Sequence, residues 1–539
     1  MEENYNEVVN NPNEVLQEKV QPVLTNNKSF AVNRKDSVFK LIFCIASVIL
    51  AVFGIWGGFR GGFTVSTLIL FSVMTVYFTS KKTRLSIFPL FCGLLNCGLS
   101  ACFVITSNGG IRFLSVVCMI LLSAVWFLSL VKAPEKESDF ALISNIVIPI
   151  VKSATVNLPK TVVAFFSSRT KKRKNFGKVL LGIVLSIPVL VVVVPLLMLS
   201  DAAFTGLVNK LLGNCFLNIF KISVGLLIAV FLISYCFTLK KNELSKAKVM
   251  GFVGIDNTIV ISFLSVLSIC YFTYLFSQLA YFFSAFKGIL PKDYSFTVAA
   301  YARRGFFEMS IIAVINFIII FTVLILSQKK NGKICVISRA LCTFVGFFTL
   351  VIIATALSKM FLYIKSYGMT ELRITTSAFM IFLAIVFISV MLRVFITRIR
   401  VFKTAIVTAA CVLVVLGTVN VNNVIASYNY NAYKVGDLKE IDVRTIYKLG
   451  DEGIPYLVKL TTDKNTEVAE EAKEHLKNIL LNEKYYELER EEEDGVVFWE
   501  RGYKISGKKY DGIGQYSITR SNAYNALEKY IEENPDVLK

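Results

Sequence analysis

Apolar residues in this chain are gathered into blocks of roughly 20 residues that are apolar on all sides and separated by short polar segments. A helix needs about 20 apolar residues to cross the roughly 30 Å hydrocarbon layer of a bilayer. Helices also pair all their backbone polar groups internally, as lipid requires. The pattern therefore predicts an all-α polytopic membrane protein with about 11 transmembrane helices. The predicted spans are 38–56, 63–79, 87–106, 113–131, 179–200, 216–239, 258–286, 305–326, 340–364, 377–396 and 405–419.

The connection at 132–178 is apolar in its middle but too broken for a span. Pro149 and Pro159 interrupt it, and Lys152 and Lys160 lie between the apolar residues. This pattern favours a cytoplasmic interfacial or re-entrant segment, with a helix in the headgroup layer. If residues 140–167 cross the membrane instead, the C-terminal part moves to the cytoplasm unless another span is also lost.

The pattern changes sharply at both ends of the membrane region, 38–419. Residues 1–37 are polar and rich in Asn and Glu, which predicts a disordered cytoplasmic tail. Residues 420–539 carry more acidic than basic residues and predict a small, mainly α (α+β) soluble domain. Helical spacing occurs at 455–460, 468–481 and 521–532, and alternation at 496–505 and 507–518 indicates two strands.

Lys and Arg concentrate in alternate loops, and the formal net charge is +20. Cytoplasmic loops of membrane proteins carry the excess of Lys and Arg, and face anionic lipid. This rule places the N-terminus in the cytoplasm of a multi-pass cell-membrane protein. With an odd number of spans, the C-terminal domain is then extracytoplasmic. No separate basic helix with interleaved aromatic residues indicates nucleic-acid binding.

The sequence indicates no metal, no cofactor and no soluble-enzyme chemistry. All 11 cysteines lie within or close to the apolar blocks, where they act as small hydrophobic residues. His475, the single histidine, falls on a predicted surface helix without metal-ligand partners. The chain also has no phosphate-binding loop and no G-x-S-x-G or H-E-x-x-H motif, so an enzymatic role is not favoured.

Polar residues at membrane depth are costly, so each one is a candidate for function. Asp201 ends the fifth predicted span, and its alternative role is that of a helix-end residue at the headgroups. Gln278 lies inside the seventh span among tyrosines, and its alternative role is an interhelical hydrogen bond.

The densest polar constellation is the predicted outer loop between the seventh and eighth spans. Two adjacent arginines there depart from the positive-inside trend, and Arg binds carboxylate or phosphate in a bidentate manner. We predict either an internal ion-pair network or an anionic site for a lipid headgroup or phosphorylated carrier. The residues of this constellation, with the last outer loop added, are Tyr301, Arg303, Arg304, Glu308, Glu371 and Arg373.

Several strings in these loops resemble a known family. They are LLMLSDAAF (196–204), YFFSAFKGILP (281–291), YARRGFFEM (301–309) and YGMTELR (367–373), followed by NVNNVIASYNYNAY (420–433), IDVRTIYKLGDEGIPYL (441–457) and ITRSNAYNAL (518–527). The chain resembles the bacterial membrane family DUF4173, related to DUF4153, from about residue 40 onward. The resemblance implies a plasma-membrane protein of a Gram-positive bacterium, and it implies no activity and no catalytic residue.

Three classes of function stay open from the sequence. An envelope sensor, signalling or assembly protein, with other membrane proteins as partners, is the first. A secondary transporter of a small anionic solute is the second, although no inverted repeat is evident. An envelope enzyme acting on a lipid-linked substrate is the third. The first predicted outer loop of this chain lacks the paired carboxylates that a glycosyl transferase of that design usually bears, which counts against this class.

Overall fold

The computed structural model describes most of the chain in separate stretches. These are residues 34–79, 87–131, 139–159, 161, 186, 193, 196–240, 254–282, 306–328, 334–482, 486–488, 491–493, 496–498, 503–505 and 516–534. Within them, ten helices are long and apolar enough to cross a membrane, so the chain is a multi-pass helical membrane protein. Ten of the predicted spans correspond to these helices. The other, 179–200, falls almost entirely outside the described residues.

The first half of the chain supplies six of the described helices. The helix α1 continues directly into a six-residue π-helix, Leu50–Ile55, before the turn to α2. The bounds are α1 Arg34–Ile49, α2 Gly61–Thr79, α3 Ile87–Ile105, α4 Gly109–Leu130, α5 Asp139–Ala154 and α6 Ala202–Lys240. The second half supplies α7 Asn257–Phe282, α8 Phe306–Leu326, α9 Val336–Tyr367, α10 Glu371–Phe395 and α11 Val401–Thr418.

The helix ends lie on two faces. The first, the junction face, carries the connections 56–60, 106–108, 368–370 and 419–420, which all contact the C-terminal helices described below. The second, the basic face, carries the ends of α2 and α4, where the rings of Phe78 and Phe127 are 5.5 Å apart. It also carries the start of α7 and the end of α8, joined by a bridge between Ile255 and Ser327.

The direction of α6 follows from two ring contacts. The rings of Trp56 and Phe220 are 5.5 Å apart at the junction face, and Lys40 lies over the ring of Phe237 towards the basic face. The apolar part of α6 therefore runs from the junction face to the basic face, as α4 does. The chain changes face between α4 and α6, as one predicted crossing at 179–200 requires.

The short helix α5 packs against the basic-face end of α6. Ser234 donates a hydrogen bond to the carbonyl of Ser153, and the Asn157 side chain donates one to the Thr238 hydroxyl. With 16 residues, α5 is shorter than the described spans. The interfacial position predicted for 132–178 remains a prediction.

Two apolar clusters form the membrane region, and α11 contributes to both. The first cluster is built by α1 to α6 and includes Ala410 of α11, whereas the second is built by α7 to α10 and includes Val401 of α11. On α3, Gly98 lets Val414 of α11 approach closely, since a Cβ at Gly98 would lie 3.0 Å from the Val414 side chain. The last described span thus packs between the two halves.

The C-terminal residues form short helices after α11. They are α12 Val421–Val435, α13 Val443–Lys448, a 3-10 turn Gly450–Glu452, α14 Ile454–Leu460, α15 Thr466–Asn482 and α16 Ile518–Glu533. The helices predicted at 455–460, 468–481 and 521–532 correspond to α14, α15 and α16. Four strands of three residues form two antiparallel pairs, β1 Tyr486–Leu488 with β4 Tyr503–Ile505, and β2 Glu491–Glu493 with β3 Val496–Phe498.

The separate α+β domain expected from the sequence is not supported. The core of the C-terminal helices contains Leu457, Leu476 and Leu527, but it also contains Ile111 of α4. Met369, which lies just before α10, packs against the same core. The alternation at 496–505 is divided between β3 and β4, which do not pair with each other. The C-terminal helices are therefore a covering layer on the span ends, which we call the cap (residues 421–482 and 516–534).

Candidate functional site

A buried carboxylate joins the cap to the loop between α3 and α4. Glu452 is only 3% exposed and accepts hydrogen bonds from the backbone N–H of Ser107, at 2.8 Å, and from the Ser107 hydroxyl. The 3-10 turn that presents Glu452 starts at Gly450, whose φ of +70° suits glycine. Burial raises the pKa of Glu452, and the Ser107 hydrogen bonds oppose that rise.

Asparagine side chains hold the next contacts between the cap and the same loop. Asn108 caps α4 by accepting from the Ile111 N–H, and its amide donates to the Asn422 side chain at 3.1 Å. Asn422 in turn donates to the carbonyl of Leu449. Because buried amides are costly unless both ends are paired, this chain of bonds fixes α12 against the start of α4.

A second asparagine clamp joins the cap to the connection between α9 and α10. The Asn429 side chain accepts from the Met369 N–H at 2.7 Å and donates to the Met369 carbonyl at 2.8 Å. The preceding residue, Gly368, has a φ of +77°, and a Cβ there would lie 2.7 Å from the Asn429 oxygen. Glycine is therefore required at this position for two separate reasons.

The start of α16 anchors the cap at two further points. The Gly61 N–H at the start of α2 donates to the carbonyl of Tyr516, and the Ser517 hydroxyl donates to the carbonyl of Val104. The Asn420 side chain also donates to the carbonyl of Ile105. The cap is thus bonded on one face to the start of α2, to the end of α3 with the loop that follows it, and to the connection between α9 and α10.

An arginine lies beneath these contacts. Arg112 donates from Nε to the carbonyl of Thr106 at 2.8 Å and from Nη2 to the carbonyl of Phe103 at 3.2 Å. Arg60, Asp451 and Glu452 all lie within electrostatic range of its guanidinium. Arg112 therefore holds the end of α3 and lies within electrostatic range of two carboxylates of the cap.

An apolar cavity of about 470 Å³ lies between α2, α4 and α6, within the first apolar cluster. Its volume falls within the roughly 300–1,000 Å³ typical of ligand sites. Phe59 and Phe63 line its end near the junction face, and the π-helix contributes Leu50 and Ile55. Single-turn π-helices are frequent at functional sites. Tyr235, a lining residue only 6% exposed, has a hydroxyl without a hydrogen-bond partner among the described residues.

Contacts run without a break from this cavity to the cap. The ring of Phe63 lies 4.5 Å from that of Phe103, whose carbonyl accepts from Arg112. Arg112 also binds Thr106, which precedes the loop residue bound by Glu452. A change in the cavity therefore has a packed and hydrogen-bonded route to the cap.

Two of the predicted site residues lie on the junction face. Arg373 donates to the carbonyls of Tyr367 and Gly368, and its guanidinium stacks 4.0 Å from the Tyr363 ring. These contacts hold the turn that the Asn429 clamp also holds. Glu371 is exposed in the first turn of α10, where the helix dipole favours an acidic residue.

Two others are exposed helix-end residues. Asp201 accepts a hydrogen bond from the N–H of Ala203 at 2.8 Å, next to the start of α6. Glu308 lies exposed in the first turn of α8. Tyr301, Arg303, Arg304 and the side chain of Gln278 fall outside the described part of the chain, so the predicted anionic site stays a prediction.

Sequence reasoning missed the residues that connect the two parts. Glu452, Ser107, Asn108, Asn422 and Asn429 come from loops and a helix far apart in sequence. One signal was present, because the string 420–431 places five asparagines within a helix of apolar periodicity. Among the described residues, no three His, Cys, Asp or Glu side chains are grouped as a metal site would require.

Comparison with protein families gives a match, over residues 93–460, to DUF4153, described as a domain of unknown function. The match covers more than half of the chain. The chain belongs to the DUF4153 family. Within this DUF4153 region lie most of α3 and all of α4 to α14, and hence both Ser107 and Glu452, whereas the relation to DUF4173 is not shown. Neither curated proteins nor solved structures give a match.

Proposed function

We propose that this DUF4153 protein is an envelope sensor, signalling or assembly protein of the cell membrane. In this proposal the cap is extracytoplasmic and binds envelope partners. A conformational change passes between the cap and the spans, in either direction, through the junction face. The contact of Glu452 with Ser107 carries the proposal. A buried carboxylate bonded across two distant segments couples them more strongly than surface contacts do.

Charge supports the proposed orientation. Among the described connections on the junction face, 56–60, 106–108, 368–370 and 419–420, there is one basic residue, Arg60. The basic-face connections contain many, among them Lys81, Lys82, Arg84, Lys241, Lys246, Lys248, Arg398 and Arg400. By the positive-inside rule, the basic face is cytoplasmic and the cap is outside.

The proposal is tested by filling the cavity and observing the cap. Ala124 lines the cavity, so Ala124→Phe occupies part of it, and Val266 on α7 is 71% exposed, so Val266→Phe is a matched control. Amide hydrogen exchange of residues 421–435 is measured in the full chain in lipid nanodiscs. We expect Ala124→Phe to change exchange in α12 several-fold and Val266→Phe to leave it unchanged.

If amide hydrogen exchange in α12 is unchanged when the cavity is filled, the cavity and the cap are not coupled. The cap would then be a static cover of the span ends. Ile228→Phe, at another lining residue, repeats the test if Ala124→Phe does not fold. Because the readout is taken in the cap and not in the cavity, a local packing defect in α4 alone does not reproduce the expected result.

A second candidate is an envelope enzyme acting on a lipid-linked substrate. The apolar cavity favours it, because contacts run from the cavity's junction-face end through Phe63, Phe103 and Arg112 towards the cap. Asp451 and Glu452 both lie within electrostatic range of Arg112, and Asp451 is the carboxylate that we select for the test. Loss of substrate turnover in Asp451→Asn at unchanged thermal stability would favour this candidate over a sensor.

The third class, a secondary transporter of a small anionic solute, gains no support from the described spans. Their buried asparagines are already paired between helices. Asn316 of α8 accepts from the Tyr271 hydroxyl and donates to the Thr349 hydroxyl, and Asn96 of α3 accepts from Ser123. These contacts are interhelical packing interactions.

A further inference from the structure

A shallow groove of about 610 Å³ runs along the lipid-facing side of α9 and α10. Its α9 wall follows one stripe of the helix, and Met391 and Phe395 of α10 form the other wall. Phe347 and Phe395 are both more than half exposed, as side chains against lipid tails are. The α9 lining residues are Val336, Arg339, Ala340, Thr343, Phe344 and Phe347.

The groove extends over one leaflet. From Val336 to Phe347 the helix rises about 16 Å, which is roughly half of the 30 Å hydrocarbon layer. Val336 lies at the basic-face end, so the groove begins at the headgroups of the basic-face leaflet and ends near the bilayer centre. At Gly346 the two helices pack tightly, since a Cβ there would lie 2.7 Å from Met391.

Arg339 is the charged side chain among the residues that line this groove. The Nε of Arg339 is buried and has no hydrogen-bond partner among the described residues. The Thr343 hydroxyl, one turn further, already donates to the carbonyl of Arg339. Leaving a guanidinium N–H unpaired at the edge of lipid is costly, so the described part of the site lacks an acceptor for Arg339.

The neighbouring sequence offers no acidic acceptor. Residues 309–370 and 372–436, which include α9, α11 and all of α10 after its first residue, contain no Asp and no Glu. Glu308 and Glu371 lie at the other ends of α8 and α10, on the junction face. Asp256, at the basic face before α7, is exposed and accepts from the N–H of Thr258. The missing acceptor therefore has to come from outside this part of the chain.

We propose that the groove binds one anionic phospholipid of the basic-face leaflet. Its phosphate accepts the Arg339 N–H, and one acyl chain lies along Phe344, Phe347 and Met391. Arg suits phosphate because its planar fork donates in a bidentate manner. Basic pockets between membrane helices on a cationic face are known to take such headgroups. This inference is independent of the role proposed for the cap.

The test is native mass spectrometry of the full chain from nanodiscs that contain phosphatidylglycerol and phosphatidylcholine. Wild type retains one phosphatidylglycerol more firmly than phosphatidylcholine. Arg339→Ala weakens this retention roughly tenfold, and Arg339→Lys weakens it less. Arg398→Ala, an exposed arginine of the same face outside the groove, leaves it unchanged.

A steric pair of variants separates the groove from general surface effects. Ala340→Trp fills the groove and keeps Arg339, so we expect it to release the lipid as well. Ile337→Trp, on an exposed neighbour outside the groove, retains it. Equal retention in wild type and Arg339→Ala, or equal loss in Ala340→Trp and Ile337→Trp, overturns the proposal. So does competition by inorganic phosphate, which would mean that the site takes a free anion without its chain.

Discussion

The helices of this protein end differently on its two faces. On the junction face, protein covers the helix ends, and the carboxylate of Glu452 and the amides of Asn108, Asn422 and Asn429 are bonded across distant segments. On the basic face, the connections are rich in Lys and Arg, and the Nε of Arg339 has no acceptor among the described residues.

This difference shows where each face finds its polar partners. A nearly uncharged connection such as 106–108 cannot rely on charge for its hydration or orientation, so the cap supplies its hydrogen bonds. A cationic connection is stabilised by water and by anionic lipid. The junction face is therefore specified by side-chain geometry, whereas the basic face is specified by composition.

The largest expected effect concerns the side of each face. In a cysteine-free background, Lys439→Cys in the cap and Arg398→Cys on the basic face are both exposed sites. A membrane-impermeant thiol reagent applied to intact cells should label the first fully and the second only after permeabilisation. Labelling of both sites from one side would mean that the two faces do not lie across a membrane.

The next effect is the loss of the buried carboxylate. Glu452→Ala leaves the Ser107 N–H and hydroxyl unpaired in a buried site, so we expect a loss of about 2–4 kcal/mol of unfolding free energy. Thermal unfolding of the full chain in detergent measures it. Glu440→Ala, an exposed residue of the same region, is the control. A double-mutant cycle with Ser107→Ala should show strong coupling, and additive effects would contradict the contact.

Two glycines of the junction face allow a matched test of the Asn429 clamp. Gly368 and Gly436 both have positive φ, but only Gly368 has Asn429 against it. We expect Gly436→Ala to cost about 1 kcal/mol from the backbone alone. Gly368→Ala should cost roughly 2–3 kcal/mol, because the clamp must also move. Equal thermal shifts in the two variants would show that the clamp contributes nothing.

The smallest effect is a dependence on pH. Because burial raises the pKa of Glu452 in the folded state, its ionised form is less favourable there than in the unfolded chain. Relative to Glu452→Gln, the wild type should be most stable below the usual carboxyl pKa. It should lose that advantage as pH rises through the raised value. A constant difference in melting temperature across this range would contradict the burial effect.

Much of the fold could be predicted from the sequence because lipid imposes one simple rule. Spans such as 87–106 and 377–396 are continuous apolar blocks, and the structure has α3 and α10 there. The cap could not be predicted as a covering layer, since its core depends on Ile111 of α4, more than 300 residues away from α12. Periodicity identifies an apolar face but does not identify what covers it.

Residues of the candidate site could be predicted only where a charged side chain departs from the pattern of the sequence around it. Arg373 stood out in an outer loop, and the structure gives it carbonyl and ring partners. Glu452 did not stand out, because a carboxylate in a turn is usually solvated. Glu452 is buried because its 3-10 turn packs against the loop 106–108. The two bonded residues, Ser107 and Glu452, are 345 positions apart in the sequence.

The position of α11 has a consequence for biosynthesis. It is the last described span to leave the ribosome, yet it packs against α3 through Gly98 and against α4, where Cys118 approaches the carbonyl of Ile406. Spans made early must therefore keep an open surface in the membrane until α11 has been made. Only then can the cap, which follows α11 immediately, reach its position, so assembly of the cap reports that the described spans have been inserted.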